Sequence, residues 1–284
     1  MAILKLVAGL LALGVLVLAA LQLPRAHRDG REAEAARARL LASPAPLAGH
    51  FDPAMVAGLP EPARRFFLFA IEPGTRLASS AEIRTEGELS LGSKEDPKYM
   101  PMRARQVLAA PEGLVWEVET RRGILRIAGS DGMAGGRSWT RFWLWGVVPV
   151  ARVSDDPDHL RSAFGRVVAE AAFWTPSFLL PRPGVSWSAV DPDTARATVR
   201  HGELVQEVDI HVAPSGQPLW VRISRWSNAN PDQVFRLQPF GGELSDFRLV
   251  SGYRVPFRVD GGNFFGTPDY FPFYRARVLD VVMR

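Results

Sequence analysis

"RSAFGRVVAE", residues 161–170, is the stretch on which the fold turns. At helical spacing it sets Arg161, Ser162, Gly165, Arg166, Ala169 and Glu170 along one side and Phe164, Val167 and Val168 along the other. Carried out to Asp158 and Trp174, the apolar side gains Leu160, Ala171 and Trp174, and Pro176 ends it. One strongly two-faced helix, in a chain that otherwise reads as strand after strand, needs a surface to lie on.

That surface is written on both sides of it, where the period changes to two. "EIRTEGELSL" (82–91) alternates Ile83, Thr85, Leu89 and Leu91 against Arg84, Glu86, Glu88 and Ser90, the pattern of a half-buried strand. Similar runs are MRARQVLAA (102–110), LVWEVETRR (114–122), ILRIAGS (124–130), SWTRFWLWGVV (138–148), ARATVRHG (195–202), LVQEVDIHV (204–212), PLWVRISRW (218–226), GELSDFRLV (242–250), YRVPFRV (253–259) and RARVLDVVM (275–283). Turn signals at Pro111-Glu112-Gly113, Asp131-Gly132, His201-Gly202 and Pro214-Ser215-Gly216 separate them. Short strands joined by tight turns make an antiparallel sheet with one dry face, which has to be covered or closed. The expected fold is mainly β: a single curled antiparallel meander, a half-barrel, with helix 158–174 lying centrally against its concave side.

"LVAGLLALGVLVLAALQL" (6–23) carries no charge and, at ~1.5 Å per residue, reaches close to the ~30 Å of a bilayer core. A transmembrane anchor is expected over 1–24, with a signal peptide cleaved near Val17-Leu18-Ala19 as the alternative. "GREAEAARARLLA" (30–42), with Asp29 as N-cap, reads as a helical neck, broken by "SPAPLAGHFDP" (43–53). A second short helix, "LPEPARRFFLFAIEPG" (59–74), lies between Pro60 and Pro73-Gly74. The organisation is thus an anchor (1–24), a neck with a short helix (25–75) and a β domain (76–284). Arg25, Arg28, Arg31, Arg37 and Arg39 follow the span while Lys5 alone precedes it, which by the positive-inside rule draws the domain to the cytoplasm. The kind of domain argues for the extracytoplasmic side of the inner membrane, and that placement is the expectation.

Of 284 residues, 47% are hydrophobic and 23% charged, enough apolar material for a real core. The net charge of +4 is spread as arginines among acids, with no run or stripe of the kind that nucleic acid demands. Without cysteine there are no disulfides, thiolate metal sites or thiol nucleophiles.

Three clusters are candidate sites. Arg161, Ser162, Arg166 and Glu170 would hold an anionic group in a cleft, with Gly165 allowing close approach; equally, they are the solvated side of the helix, joined by a weak i,i+4 pair. Trp139, Arg141 and Trp143, with Trp145, share one face of their strand as an aromatic wall for a lipophilic ligand or as a ladder packing the inner sheet. Glu207, Asp209 and His211 share a face two apart, as metal ligands or acid/base groups, or as the wet side of a strand whose other face is Val208, Ile210 and Val212. No metal site is expected. "GGRSW", "PFGGE" and "DGGNFFG" lack phosphate-cradle spacing and read as turns and bulges, so no cofactor is implied.

"LPEPARRFF", "RSAFGRVVAEAAFWTPSFLLP", "VDPDTARATV", "SRW", "PFGG" and "FFGTPDYFPFYRARV" together resemble an uncharacterised bacterial family, described only as a domain of unknown function and often preceded by a membrane span. The likeness runs over about 58–284, departing at "GGNFFG", where a Gly-Trp pair is expected. Arg161, Ser162, Gly165, Arg166 and Glu170 carry over as a signature. In architecture, a sheet curled round a helix is similar to the half-barrels of LolA and LolB lipoprotein carriers, which implies an acyl-chain ligand. Three functions follow: an envelope module binding a lipid between sheet and helix; a membrane-surface hydrolase or transferase with Glu170 as catalytic base and Arg161 and Arg166 as anion stabilisers; or a scaffold for a protein partner the sequence does not identify.

Overall fold

The computed structural model describes residues 1–42 and 48–284, apart from the side chains of Ala2, Ala8, Leu11, Ala12 and Val15. Among the described residues three α-helices, α1 (Ala2–Leu41), α2 (Glu61–Ala70) and α3 (Pro157–Trp174), accompany thirteen strands. The strands are β1 (Ala81–Ser90), β2 (Tyr99–Ala109), β3 (Gly113–Arg122), β4 (Leu125–Ala134), β5 (Arg137–Leu144), β6 (Val148–Ser154), β7 (Val185–Asp191), β8 (Thr194–His201), β9 (Leu204–Val212), β10 (Pro218–Ser227), β11 (Arg236–Val250), β12 (Tyr253–Asn263) and β13 (Phe271–Met283). All belong to one antiparallel sheet in the order β6-β5-β4-β3-β2-β1-β13-β12-β11-β10-β9-β8-β7. The expected single meander is therefore two meanders, β1–β6 and β7–β13, stitched where the first strand pairs with the last, Ala81 opposite Met283. The edge strands β6 and β7 lie outside the runs read from sequence, except where SWTRFWLWGVV reaches Val148.

The sheet is curled, and the helix contacts prove it. β4 and β10 stand seven strand spacings apart in this order, ~34 Å in a flat sheet. Arg166 of α3 nevertheless bonds Asp131 on β4, while the adjacent Gly165 packs on Ile223 of β10. Only a sheet that wraps α3 from two sides allows both. Ten of the eighteen residues of α3 are buried, including Ser162, Gly165 and Ala169 of its polar stripe. The helix starts with Asp156, whose side chain accepts from the Asp158 and His159 amides.

On the concave side, Phe164, Val167, Val168 and Ala171 meet Leu108, Leu114, Val118, Val199, Val208, Ile210 and Val255 in one core. α2 extends it, with Phe67 and Trp187 edge to face at 5.4 Å. On the convex side a second, smaller cluster joins Ala33, Ala36 and Leu40 of α1 to Val107, Val115 and Trp139. α1 is one helix that runs through Pro24, so anchor and neck are continuous. Asp29, expected as the N-cap of the neck, lies inside α1 and is 8% exposed; it is held by tertiary bonds instead. Among the described residues no helix is long and apolar enough to cross a membrane. Within the apolar run 6–23, the side chains of Ala8, Leu11, Ala12 and Val15 lie outside the described residues. The break read at 43–53 falls partly on residues 43–47, outside the described residues.

Gly165 sits where a Cβ would meet Gln206 Oε1 at 2.9 Å and Ile223 Cδ1 at 3.3 Å. Gly165→Val should cost about 1–3 kcal/mol by overpacking, lowering Tm by ~2–4 °C per kcal/mol. An unchanged Tm in a thermal melt would mean that α3 does not lie this close to β9 and β10.

Candidate functional site

The polar stripe of α3 faces the concave side of the sheet. Arg166 is its centre, with a side chain only 16% exposed. Its Nε donates to Glu170 Oε1 at 2.6 Å, its Nη1 to Asp131 Oδ2 at 2.8 Å and its Nη2 to Gln106 Oε1 at 3.3 Å. Gln106 returns a bond from Nε2 to Glu170 Oε2 at 2.5 Å. The guanidinium lies 5.2 Å from the centre of the Trp116 ring. Burial works against the Arg166 charge, but Glu170 and then Asp131 outweigh it and raise its pKa above the ordinary arginine value. A solvated i,i+4 pair contributes a few tenths of a kcal/mol; this one is desolvated and shared with two strands.

Asp131 is tied further into the fold. Its Oδ1 accepts from Thr140, and Thr140 Oγ1 lies 2.9 Å from His159 Nε2, whose Nδ1 is 2.8 Å from Ser138 Oγ. Asp131-Gly132, read as a turn, is inside β4; the turn that follows is Gly135-Gly136, both at positive φ. On the other flank, Arg225 donates its Nε to the Ser162 hydroxyl at 3.1 Å, and its guanidinium lies 4.8 Å from the centre of the Phe240 ring. Arg225 makes no ion pair among the described residues.

Between α3 and the sheet is a cavity of about 280 Å³, at the small end of ligand pockets. Asp131, Arg166, Glu170 and Arg225 stand at its polar side, and the apolar side includes Trp116, Phe142, Phe173, Val221, Val259 and Tyr274. Its origin is a matter of register. Val221 pairs with Gly242, Gly242 with Gly261, and Gly261 with Tyr274, so two adjacent strands present no side chain to the concave side at one level. "DGGNFFG", read as a turn and bulge, carries both, a register shift between Gly261 and Asn263 and a turn at 264–266, while the paired glycines of "PFGGE" and "DGGNFFG" lie within β11 and β12 and open the space.

The predicted site residues separate into three places. Ser162, Arg166 and Glu170 are at this cluster, whereas Arg161 is exposed and lies over Trp226 at 4.3 Å. Trp139, Arg141 and Trp143 are on the opposite, convex face, so they form neither a wall of the cavity nor a ladder on the inner sheet. There Trp143 Nε1 donates to Asp29 at 2.9 Å, Arg152 to Asp29 at 2.5 Å and Arg141 to Glu32, clamping α1 to the sheet. Glu207, Asp209 and His211 share the convex face as well. Asp209, far from being wet, is buried between Arg196 at 2.6 Å and Arg222 at 3.0 Å, and His211 stacks on Trp220 at 4.9 Å. Among the described residues no group of three His, Asp or Glu side chains is disposed to hold a metal. Gln106, Trp116, Asp131 and Arg225 were not singled out from sequence. Gln106 and Arg225 share their faces with Leu108 and with Val221 and Ile223, and a polar residue in an apolar inward row was the available signal.

Fold and site together define a curled antiparallel sheet cupping an amphipathic helix over a small cavity that is apolar on one side and ionic on the other. Residues 49–276 match the model of a family of unknown function, DUF6544, and the chain belongs to that family. No curated protein matches it. Solved structures similar to it include a LolA superfamily protein from Nitrosomonas europaea (9% identity, TM-score 0.41, covering 78% of this chain and 92% of that one). Another is a putative outer membrane lipoprotein-sorting protein domain from Vibrio parahaemolyticus (7% identity, TM-score 0.35, covering 72% and 86%). The overlap is too loose to carry a function across.

Burial holds the His159 imidazole below its ordinary pKa, against the pull of Asp131. Because the unfolded chain then protonates first, the stability that neutral His159 supports is present above the ordinary value of ~6.5 and is lost as pH falls through the lower folded value. Thermal stability should fall between pH 7 and pH 5 more steeply in the native chain than in His159→Gln. Equal slopes would contradict this role.

Proposed function

We propose that the protein is a membrane-anchored binding module of the cell envelope, holding a lipid or other lipophilic ligand between α3 and the sheet. The observation that carries this reading is the cavity itself. A row of two glycines leaves the space, apolar and aromatic side chains line most of it, and the charged groups gather on one side, the division an amphiphile needs. The polar head goes to Arg225, because Arg166 is already engaged by two carboxylates. Both oxygens of Glu170 are likewise engaged, by Arg166 and Gln106, which suits holding the helix better than abstracting a proton.

Residues 6–23 are the anchor in this proposal, and the domain lies outside the cytoplasm at the inner membrane. Supporting the anchor, Leu6, Leu10, Leu13, Leu16 and Leu21 are all exposed on α1, whereas Ala33, Ala36 and Leu40 further along the same helix are buried against the domain. An uncovered apolar half-helix needs lipid or protein around it.

Gly261 provides the test, since a Cβ there meets nothing closer than Gly241 O at 3.7 Å. With a diazirine-bearing fatty acid added to membranes containing the full chain, crosslinked peptides should map to α3, β11 and β12 as well as to α1. Gly261→Leu should abolish the first set and spare the α1 set. Crosslinks confined to α1 in the native chain would end the binding reading, and protease protection in spheroplasts decides the side of the membrane.

A further inference from the structure

The polar side of the cavity is unbalanced in what it offers a guest. All four carboxylate oxygens there are engaged: Glu170 Oε1 and Oε2 by Arg166 and Gln106, Asp131 Oδ1 and Oδ2 by Thr140 and Arg166. The free group is a donor. Arg225 spends only its Nε, on the Ser162 hydroxyl and carbonyl, and both of its terminal nitrogens stay without a partner among the described residues. Phe240 covers one face of that guanidinium and so fixes its plane.

We propose, building on the lipophilic-guest reading above, that the cavity takes an organic carboxylate on a short apolar tail, with the Arg225 fork as its counter-ion. An ester or amide carbonyl satisfies one donor; a carboxylate satisfies the fork and compensates its charge. Ionised pairs of this kind are about twice as strong as neutral hydrogen bonds, and the bidentate geometry belongs to arginine. The charge is in need of compensation. Burial, the largest influence, pushes the Arg225 pKa down to about 10, against the more distant Asp131 and Glu170. The modest volume fits a medium-length chain, and Phe173, Phe240 and Phe273 are there to receive it.

Octanoate, octanamide and octylamine share a tail and differ in the head, so calorimetric titration of the full chain in phosphatidylcholine nanodiscs separates the possibilities. Octanoate should bind about tenfold or more tightly than octanamide, and octylamine should not bind. Arg225→Gln should bring octanoate down to the octanamide level while leaving octanamide nearly unchanged. Arg225→Lys, which keeps the charge and removes the two-pronged fork, should weaken octanoate several-fold and serves if the glutamine variant does not fold. Octanamide binding as tightly as octanoate, or full octanoate affinity in both variants, would overturn the carboxylate assignment and leave the lipophilic cavity standing. No binding of any of the three would overturn both.

Discussion

One arginine, withdrawn from water and shared between two carboxylates, sets the terms for the rest of this structure. Arg166 cannot be buried alone, since an uncompensated charge in the interior costs several kcal/mol. Glu170, one helical turn along, and Asp131, on β4, supply the compensation, and Gln106 on β2 closes the ring. Because Asp131 and Gln106 sit on the sheet, the polar side of α3 must turn inward. The sheet must then curl until β9 and β10 reach the same helix from the other flank, where Gly165 lets them come close. The cavity follows from the same geometry: the stripe holds α3 off the sheet with polar side chains, and the glycines of β11 and β12 leave the facing surface bare.

The convex side repeats the device with a different purpose. α1 packs through small residues, Ala33 and Ala36, onto Val107, Val115 and Trp139. A buried carboxylate, Asp29, is met there by Trp143 and Arg152. An apolar half-helix is thereby fixed to the outside of the sheet whose inside carries the cavity. In the proposed arrangement, bilayer and binding space are joined through one continuous helix packed on the strands β2 to β5.

Much of this architecture was legible from periodicity. Eleven of the strands and the span of α3 follow from the change between two-residue and helical repeats, because one face of each element is buried and the other is not. β6 and β7 were not legible, for "VPVARVS" and "VSWSAVD" are edge strands largely open to solvent on both faces, so burial imposes little alternation. The site was legible only in part. Arg166 and Glu170 stood out as a pair, but a single helix cannot say whether its polar side meets water or a second sheet surface. The same ambiguity misplaced Trp139 and Trp143: alternation shows that they share a face and leaves open which face is the inner one. Asp131 was hidden by the glycine after it, which here serves close approach to Trp139 rather than a turn.

The central claim is that Arg166 is a buried, shared counter-charge and not a surface residue, and the unfolding free energy of Arg166→Met measures that directly. Urea unfolding followed by circular dichroism should show a loss of about 3–5 kcal/mol, the cost of leaving Asp131 and Glu170 enclosed without their cation. A loss of only a few tenths, the value of an exposed i,i+4 pair, would contradict the account.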